Sequence, residues 1–256
     1  MRIRWALLVT LGMMGLGAAN LAAQTSTRVM VRVTANDAKI IGSGVGGATV
    51  TIRDALTGEI LAQGVQEGGT GDSGLIMGSR ERGGTVFDSE GAAGFVAELE
   101  IDEPTWVEIT GTGPLGTPDA LRSSTRSTLL IPGRDVLGDG IVIELLGFTV
   151  ELTQPAAGTP LAAQTSLDVG ARVTMLCGCP TEPGGTWDSD DYDIVVRVLR
   201  DGEVEQEVPM RFAGETSMYA GTLAPIPSGW IEIEVLAMDA AKGNFGLARK
   251  LFAVGR

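Results

Sequence analysis

The chain has 256 residues, with 32 acidic and 19 basic side chains, no histidine and a formal net charge of −13. A surface this acidic repels phosphate backbones and anionic headgroups, so no nucleic acid and no peripheral membrane surface is expected as a partner. The missing histidine removes the usual general base, the usual triad member and the commonest nitrogen ligand of metals, and a non-catalytic role is the expectation.

The first residues read as an export signal. Arg2 and Arg4 form a basic n-region, Trp5 to Ala19 an apolar h-region, and Asn20-Leu21-Ala22-Ala23-Gln24 the small residues that signal peptidase requires. Cleavage after Ala23 makes residues 1–23 a signal peptide, removes two arginines and no acid, and leaves the product more acidic still. No later apolar run reaches transmembrane length, so no membrane insertion is expected after cleavage. The destination is the bacterial periplasm, the cell surface or the exterior.

A first domain is expected over residues 24–154. In Thr27–Val33 the residues Val29, Val31 and Val33 share one face, opposite Arg28, Met30 and Arg32, the period of a half-buried strand. Gly42-Ser43-Gly44-Val45-Gly46-Gly47 matches G-x-G-x-x-G, but the strand Ala48–Arg53 follows it. Without a helix N-terminus there is nothing to receive a pyrophosphate, so the segment reads as a flexible loop. The stretch from Gly47 to Ala62 continues with a Thr57-Gly58 turn and a second strand. It resembles the opening of carboxypeptidase-regulatory-like, transthyretin-like sandwiches.

A glycine-rich insertion, Gly64–Gly84, interrupts that pattern. Long irregular loops on rigid sandwiches are where binding usually resides. Arg80 and Arg82 are a close basic pair on an acidic chain, suited to an anion or a partner's carboxylates. Alternation resumes at Phe95, Ala97, Leu99 and Ile101.

Pro155-Ala156-Ala157-Gly158-Thr159-Pro160 reads as a linker, 155–160, before a second domain over 161–256. If the strand Leu167–Met175 continues, Met175, Cys177 and Cys179 lie on one core-facing side. These are the only two cysteines in the chain. Three readings compete. Export favours a local Cys177–Cys179 disulfide, with Gly178 relaxing the backbone. Thiolates with Met175, and with Met210, Met218 or Met238 if these approach, would suit Cu(I). A thiol–disulfide exchange site is the third reading, though no thioredoxin-like pattern surrounds the pair.

Asp188, Asp190, Asp191 and Asp193 follow within one short run, and oxygen ligands at that spacing could hold Ca²⁺. The run lacks the glycine and the terminal glutamate of an EF-hand loop, and a solvated inter-strand loop is the plainer reading. Asp201-Gly202 marks a hairpin turn. In Trp230–Met238, Ile231, Ile233, Val235 and Ala237 oppose Glu232 and Glu234. With Lys242-Gly243-Asn244 following, Ile231–Gly246 resembles the last hairpin of bacterial immunoglobulin-like domains.

The fold expected is all-β, two tandem antiparallel sandwiches. Both resemblances imply a non-catalytic adhesive, spacer or binding module. The leading function is an exported accessory engaging an unidentified partner protein through the loops Gly64–Gly84 and Thr181–Asp193. A periplasmic Cu(I)-handling protein and a surface assembly subunit, paired through exposed edge strands, are the alternatives.

Overall fold

The computed structural model describes residues 26–255; the expected signal peptide, residues 1–23, lies outside them. The first seven strands are β1 (Ser26–Ala35), β2 (Ala48–Asp54), β3 (Ile60–Gln66), β4 (Phe95–Glu100), β5 (Thr105–Gly113), β6 (Arg122–Leu130) and β7 (Val136–Leu145). They form two sheets, β4-β1-β7 and β3-β2-β5-β6, in which β1 runs parallel to β7 and all other pairings are antiparallel. The alternating residues of β1 do what their period requires: Val29, Val31 and Val33 are fully buried. They face Val50, Ile52, Val107 and Ile109 of the second sheet within one core.

The remaining strands are β8 (Phe148–Gln154), β9 (Leu161–Ala162), β10 (Leu167–Met175), β11 (Asp193–Arg200), β12 (Glu203–Pro209), β13 (Arg211–Phe212), β14 (Met218–Leu223), β15 (Gly229–Asp239) and β16 (Asn244–Gly255). One sheet has the order β13-β14-β10-β8 and the other β12-β11-β15-β16-β9. This is an immunoglobulin-like division of strands between two packed sheets. The chain is all-β. Apart from single 3₁₀ turns, the described residues contain one five-residue helix, α1 (Ser73–Met77), and no helix among them is long and apolar enough to cross a membrane.

The expected boundary needs correction. β8 pairs with β10 from Gly170↔Gln154 to Met175↔Phe148, so Phe148–Gln154 belongs to the second sandwich. The change of sandwich falls at Leu146-Gly147. Residues 155–160 connect β8, in one sheet of that sandwich, to β9, which pairs with β16 in the other. The prolines and Gly158, at φ +77°, therefore mark a crossing between two sheets of one sandwich, a place with the same composition as a linker.

Turns at the predicted pairs close the hairpins. Gly58 (φ +78°) joins β2 to β3, and Asp201 and Gly202 (φ +52° and +85°) join β11 to β12. Two successive left-handed residues match the right-handed twist of the strands they connect. The final hairpin runs in register from Gly229↔Val254 to Asp239↔Asn244.

Candidate functional site

The insertion is ordered. β3 already includes Gly64, Val65 and Gln66, so the excursion begins at Glu67 and returns to β4 after Gly94. Backbone hydrogen bonds close it on itself, Gly69 N to Gly91 O (2.7 Å) and Ala93 N to Gly69 O (2.9 Å), and Ser43 N donates to Gly68 O (2.8 Å). The G-x-G-x-x-G segment, expected to be flexible, is thereby pinned as a 3₁₀ turn, Ser43–Val45, against the excursion. Ile40, Ile76, Phe87 and Ala93 give the excursion a small core of its own.

Two charged side chains fasten it. Arg32, on β1, is 2% exposed; it donates to Ala93 O (2.7 Å), Ala92 O (3.2 Å), Gly138 O (3.3 Å) and the Asp88 carboxylate (2.8 Å). Asp139, on β7, accepts the backbone N–H groups of Val86, Phe87 and Asp88 at 2.7–2.8 Å. Partial burial pushes the Asp139 carboxyl up, but the three amides pull harder and hold it below the usual carboxylate range.

The excursion, so held, meets the second sandwich. The turn after β1 presents Asn36 and Asp37, the latter at φ +54°. Trp187, 7% exposed, donates Nε1 to Asp37 O at 2.9 Å. Lys242, in the β15–β16 turn, reaches the Asp37 carboxylate at 2.6 Å. That hydrogen bond, with the negative charges of Asp37, Asp239 and Asp191, raises the Lys242 ammonium above its ordinary value. Asn244 is fully buried and accepts from Gly147 N (2.8 Å) and Asn36 Nδ2 (3.2 Å). Tyr192 stacks on Phe148 with centroids 4.9 Å apart. Burial first, then Asp239, Asp37 and Asp191, push its phenol up and keep it neutral.

Two adjoining clefts open along this junction. One, about 740 Å³, is lined by Asn36, Asp37, Ile76, Met77, Arg80, Phe87, Arg126, Val142, Glu144 and Lys242 among others. The second, about 510 Å³, lies between Lys39, Thr70, Ser73, Gly74 and Met77 on one side and Cys177–Pro180, Thr186 and Trp187 on the other. Met77 belongs to both. The glycine-rich insertion and the loop that follows the cysteines, read separately in the sequence, thus share one groove.

Cys177 and Cys179 are bonded to each other, with their Cα atoms 5.4 Å apart. The strand continuation that would align Met175, Cys177 and Cys179 on one face does not occur; the strand ends at Met175 and turns. Gly178, at φ +78°, takes the left-handed position, Gly178 N donates to Met175 O (2.8 Å) and Met175 N to Cys179 O (3.0 Å). The turn, closed by these two backbone hydrogen bonds, brings the sulfurs of two residues that a flat strand would hold near the upper Cα limit of a disulfide within easy bonding reach. As a disulfide the pair offers no thiolate to a soft metal. Met175 is fully buried in the core, away from the groove lining.

The aspartates do not gather. Asp188 caps the 3₁₀ turn Ser189–Asp191, accepting from Asp190 N (3.0 Å) and Gly184 N (2.9 Å). Those two amides hold its carboxyl below the usual range. Asp193 opens β11 and shares with Asp190 the lining of a different hollow, beside Met210 and Phe212, which neither Asp188 nor Asp191 lines. Among the described residues no three Cys, Asp or Glu side chains come together in a way that could hold a metal ion.

Of the basic pair, Arg80 lines the larger cleft and lies over the Phe87 ring, 5.6 Å from its centroid. Arg82 is exposed and outside the lining. Sequence reasoning missed Lys39, Arg126 and Lys242 as groove residues, whereas Trp187 falls within the expected contact loop Thr181–Asp193. Arg126 carries no local signal: it pairs with Ile109 on the core-facing side of edge strand β6, where an inward charge ordinarily guards a sheet edge.

No family model and no curated protein matches the chain. Solved structures give distant likenesses only. The fibronectin(III)-like modules of Clostridium thermocellum CbhA align over 90% of this chain and 93% of theirs, at 14% identity and TM-score 0.29. A chain from the complex of ICOS with ICOS-L and an anti ICOS-L VNAR domain aligns over 89% and 95%, at 9% identity and TM-score 0.23. An engineered protein aligns over 46% of this chain and 22% of its own, at 18% identity and TM-score 0.32.

Proposed function

We propose that this chain is an exported, non-catalytic binding module of a bacterial periplasm or cell surface that engages a partner protein through its junction groove. The observation that carries the reading is the convergence of the two loops singled out for partner contact. Thr70, Ser73, Gly74 and Met77 of Gly64–Gly84, and Thr186 and Trp187 of Thr181–Asp193 with the adjoining cysteine turn, come from different sandwiches and form opposite walls of one cleft. Concave surfaces at domain junctions are favoured places for recognition. Export is supported by the n-region and h-region of the first 23 residues, and an oxidising compartment suits a cysteine pair joined as a disulfide. The finer fold reading is a transthyretin-like first sandwich, supported by the β2–β3 hairpin with its Thr57-Gly58 turn, and a bacterial immunoglobulin-like second one.

Site-specific photocrosslinking in the exporting cell tests this. A photoreactive residue at Ser73 or Thr186, in the groove, is expected to give discrete protein adducts. The same residue at Thr57 or Gly202, in the hairpin turns of β2–β3 and β11–β12, is expected to give none. Adducts confined to the hairpin turns, or none at any position, would remove the reading.

A further inference from the structure

We infer that the segment captured by the groove is an extended, acidic peptide with apolar residues between its carboxylates. The inference rests on the proposed binding role and names the chemistry of the partner. Acids outnumber bases by 32 to 19 over the chain, yet the groove lining reverses the balance. Lys39, Arg80, Arg126 and Lys242 face only Asp37 and Glu144.

The balance sharpens once pairing is considered. Asp37 is taken by Lys242 at 2.6 Å. Arg80 and Arg126 make no ion pair among the described residues, and Lys39 donates to Ser73 Oγ at 3.0 Å without one. Glu144 is left as the one lining carboxylate without an ion pair. Three cations without an ion pair, against the single carboxylate of Glu144, therefore sit in a groove on a molecule whose other surface is rich in carboxylates.

Arg80 is also prepared for a carboxylate. Its guanidinium lies against the Phe87 ring, which occupies a face and leaves the N–H edges free for a planar, two-pronged hydrogen-bonded partner. An inorganic anion would not use the rest of the groove. Ile76, Met77, Phe87 and Val142 wall the first cleft, and Trp187 with the disulfide walls the second. Met77 joins the two, so a chain lying across it can place alternate side chains toward cations and toward apolar wall. The net charge of −13 repels an acidic segment at long range, so the attraction of the groove acts at short range, within about a Debye length of its cations.

The test pans a displayed library of random twelve-residue peptides against the full exported protein. Recovered sequences are then synthesised with a fluorescent label and titrated by anisotropy. Recovered peptides are expected to contain Asp and Glu at least twice as often as the library. Binding is expected to weaken about tenfold in the double variant Arg80→Gln/Arg126→Gln and to weaken further as salt rises. Arg134→Gln/Arg172→Gln removes two exposed arginines outside the groove and is expected to leave binding unchanged; circular dichroism confirms that both variants fold.

Recovery of no peptide, or of neutral or basic ones, overturns the inference. So does equal binding to the groove variant, or equal loss in the control. Self-association that disappears in the groove variant would make a second copy the occupant and also overturn it. Crosslinked adducts at Thr186 without any acidic preference would sink this inference alone, whereas their absence would sink the binding role beneath it.

Discussion

Arg32 and Asp139 decide where the chain between β3 and β4 goes. The valines flanking Arg32 turn inward, so its own side chain emerges on the opposite face of the β4-β1-β7 sheet, and the excursion folds down over it. Removing the guanidinium leaves Ala93 O without its closest donor in a buried place, at a cost of about 1–3 kcal/mol. Arg32→Met is therefore expected to lower the unfolding free energy read from urea titration by that amount and to speed amide exchange at residues 86–93, with little change in β10 or β15. Asp139 adds a pH dependence whose sign follows from its lowered value. A carboxyl held below its unfolded value, about 3.9, contributes its full stability above that pH. The contribution is lost as pH falls through the folded value. Protection of the Val86, Phe87 and Asp88 amides, taken relative to their intrinsic exchange rates, is expected to fall on acidification below about pH 4, and to be low already at neutral pH in Asp139→Asn. If acidification lowers protection equally in the wild type and Asp139→Asn, the three amides are not held by the carboxylate.

At the scale of elements, strands were legible and their partners were not. Val29, Val31 and Val33, or Ile231, Ile233 and Val235, announce a strand and its buried face by period alone. Which sheet a strand joins depends on pairings across many residues, so β8 was misplaced although its neighbours Pro155 and Gly158 were read as a break. The same holds for the groove. The cysteine turn and the glycine-rich insertion each stood out locally. Their meeting depends on Trp187 reaching Asp37 across 150 positions, and no local pattern encodes that. The cysteine turn itself is held by two backbone hydrogen bonds besides its sulfurs. A three-residue loop gives a disulfide only about 1.5 kcal/mol by the chain-entropy estimate. Cys177→Ser/Cys179→Ser is accordingly expected to lower the melting temperature by no more than about 6 °C while keeping the strand register of β10. A variant that fails to fold would show that the bridge sets the turn instead of finishing it.

At the scale of the molecule, the two sandwiches form one body. Apart from the small core of the excursion, their buried apolar residues belong to one contiguous cluster that includes Val31 and Ile109 of the first and Val173 and Val235 of the second. The polar junction beside that cluster is dense. Asn244 alone links Gly147 at the change of sandwich, Asn36 in the β1 turn and the start of β16. Asn244 is fully buried, so Asn244→Ala deprives the Gly147 amide of its acceptor in the interior and costs about 1–3 kcal/mol. That cost falls on the coupling between the sandwiches, because among the described strands no sheet contains members of both. Calorimetry of the wild type is expected to show one endotherm, and of Asn244→Ala two overlapping ones. The groove follows the coupling, since its walls come from both sandwiches, and Asn244→Ala is expected to weaken any groove ligand although Asn244 lines neither cleft. Two endotherms in the wild type would mean that the junction contributes little cohesion and that the groove opens and closes with independent sandwiches.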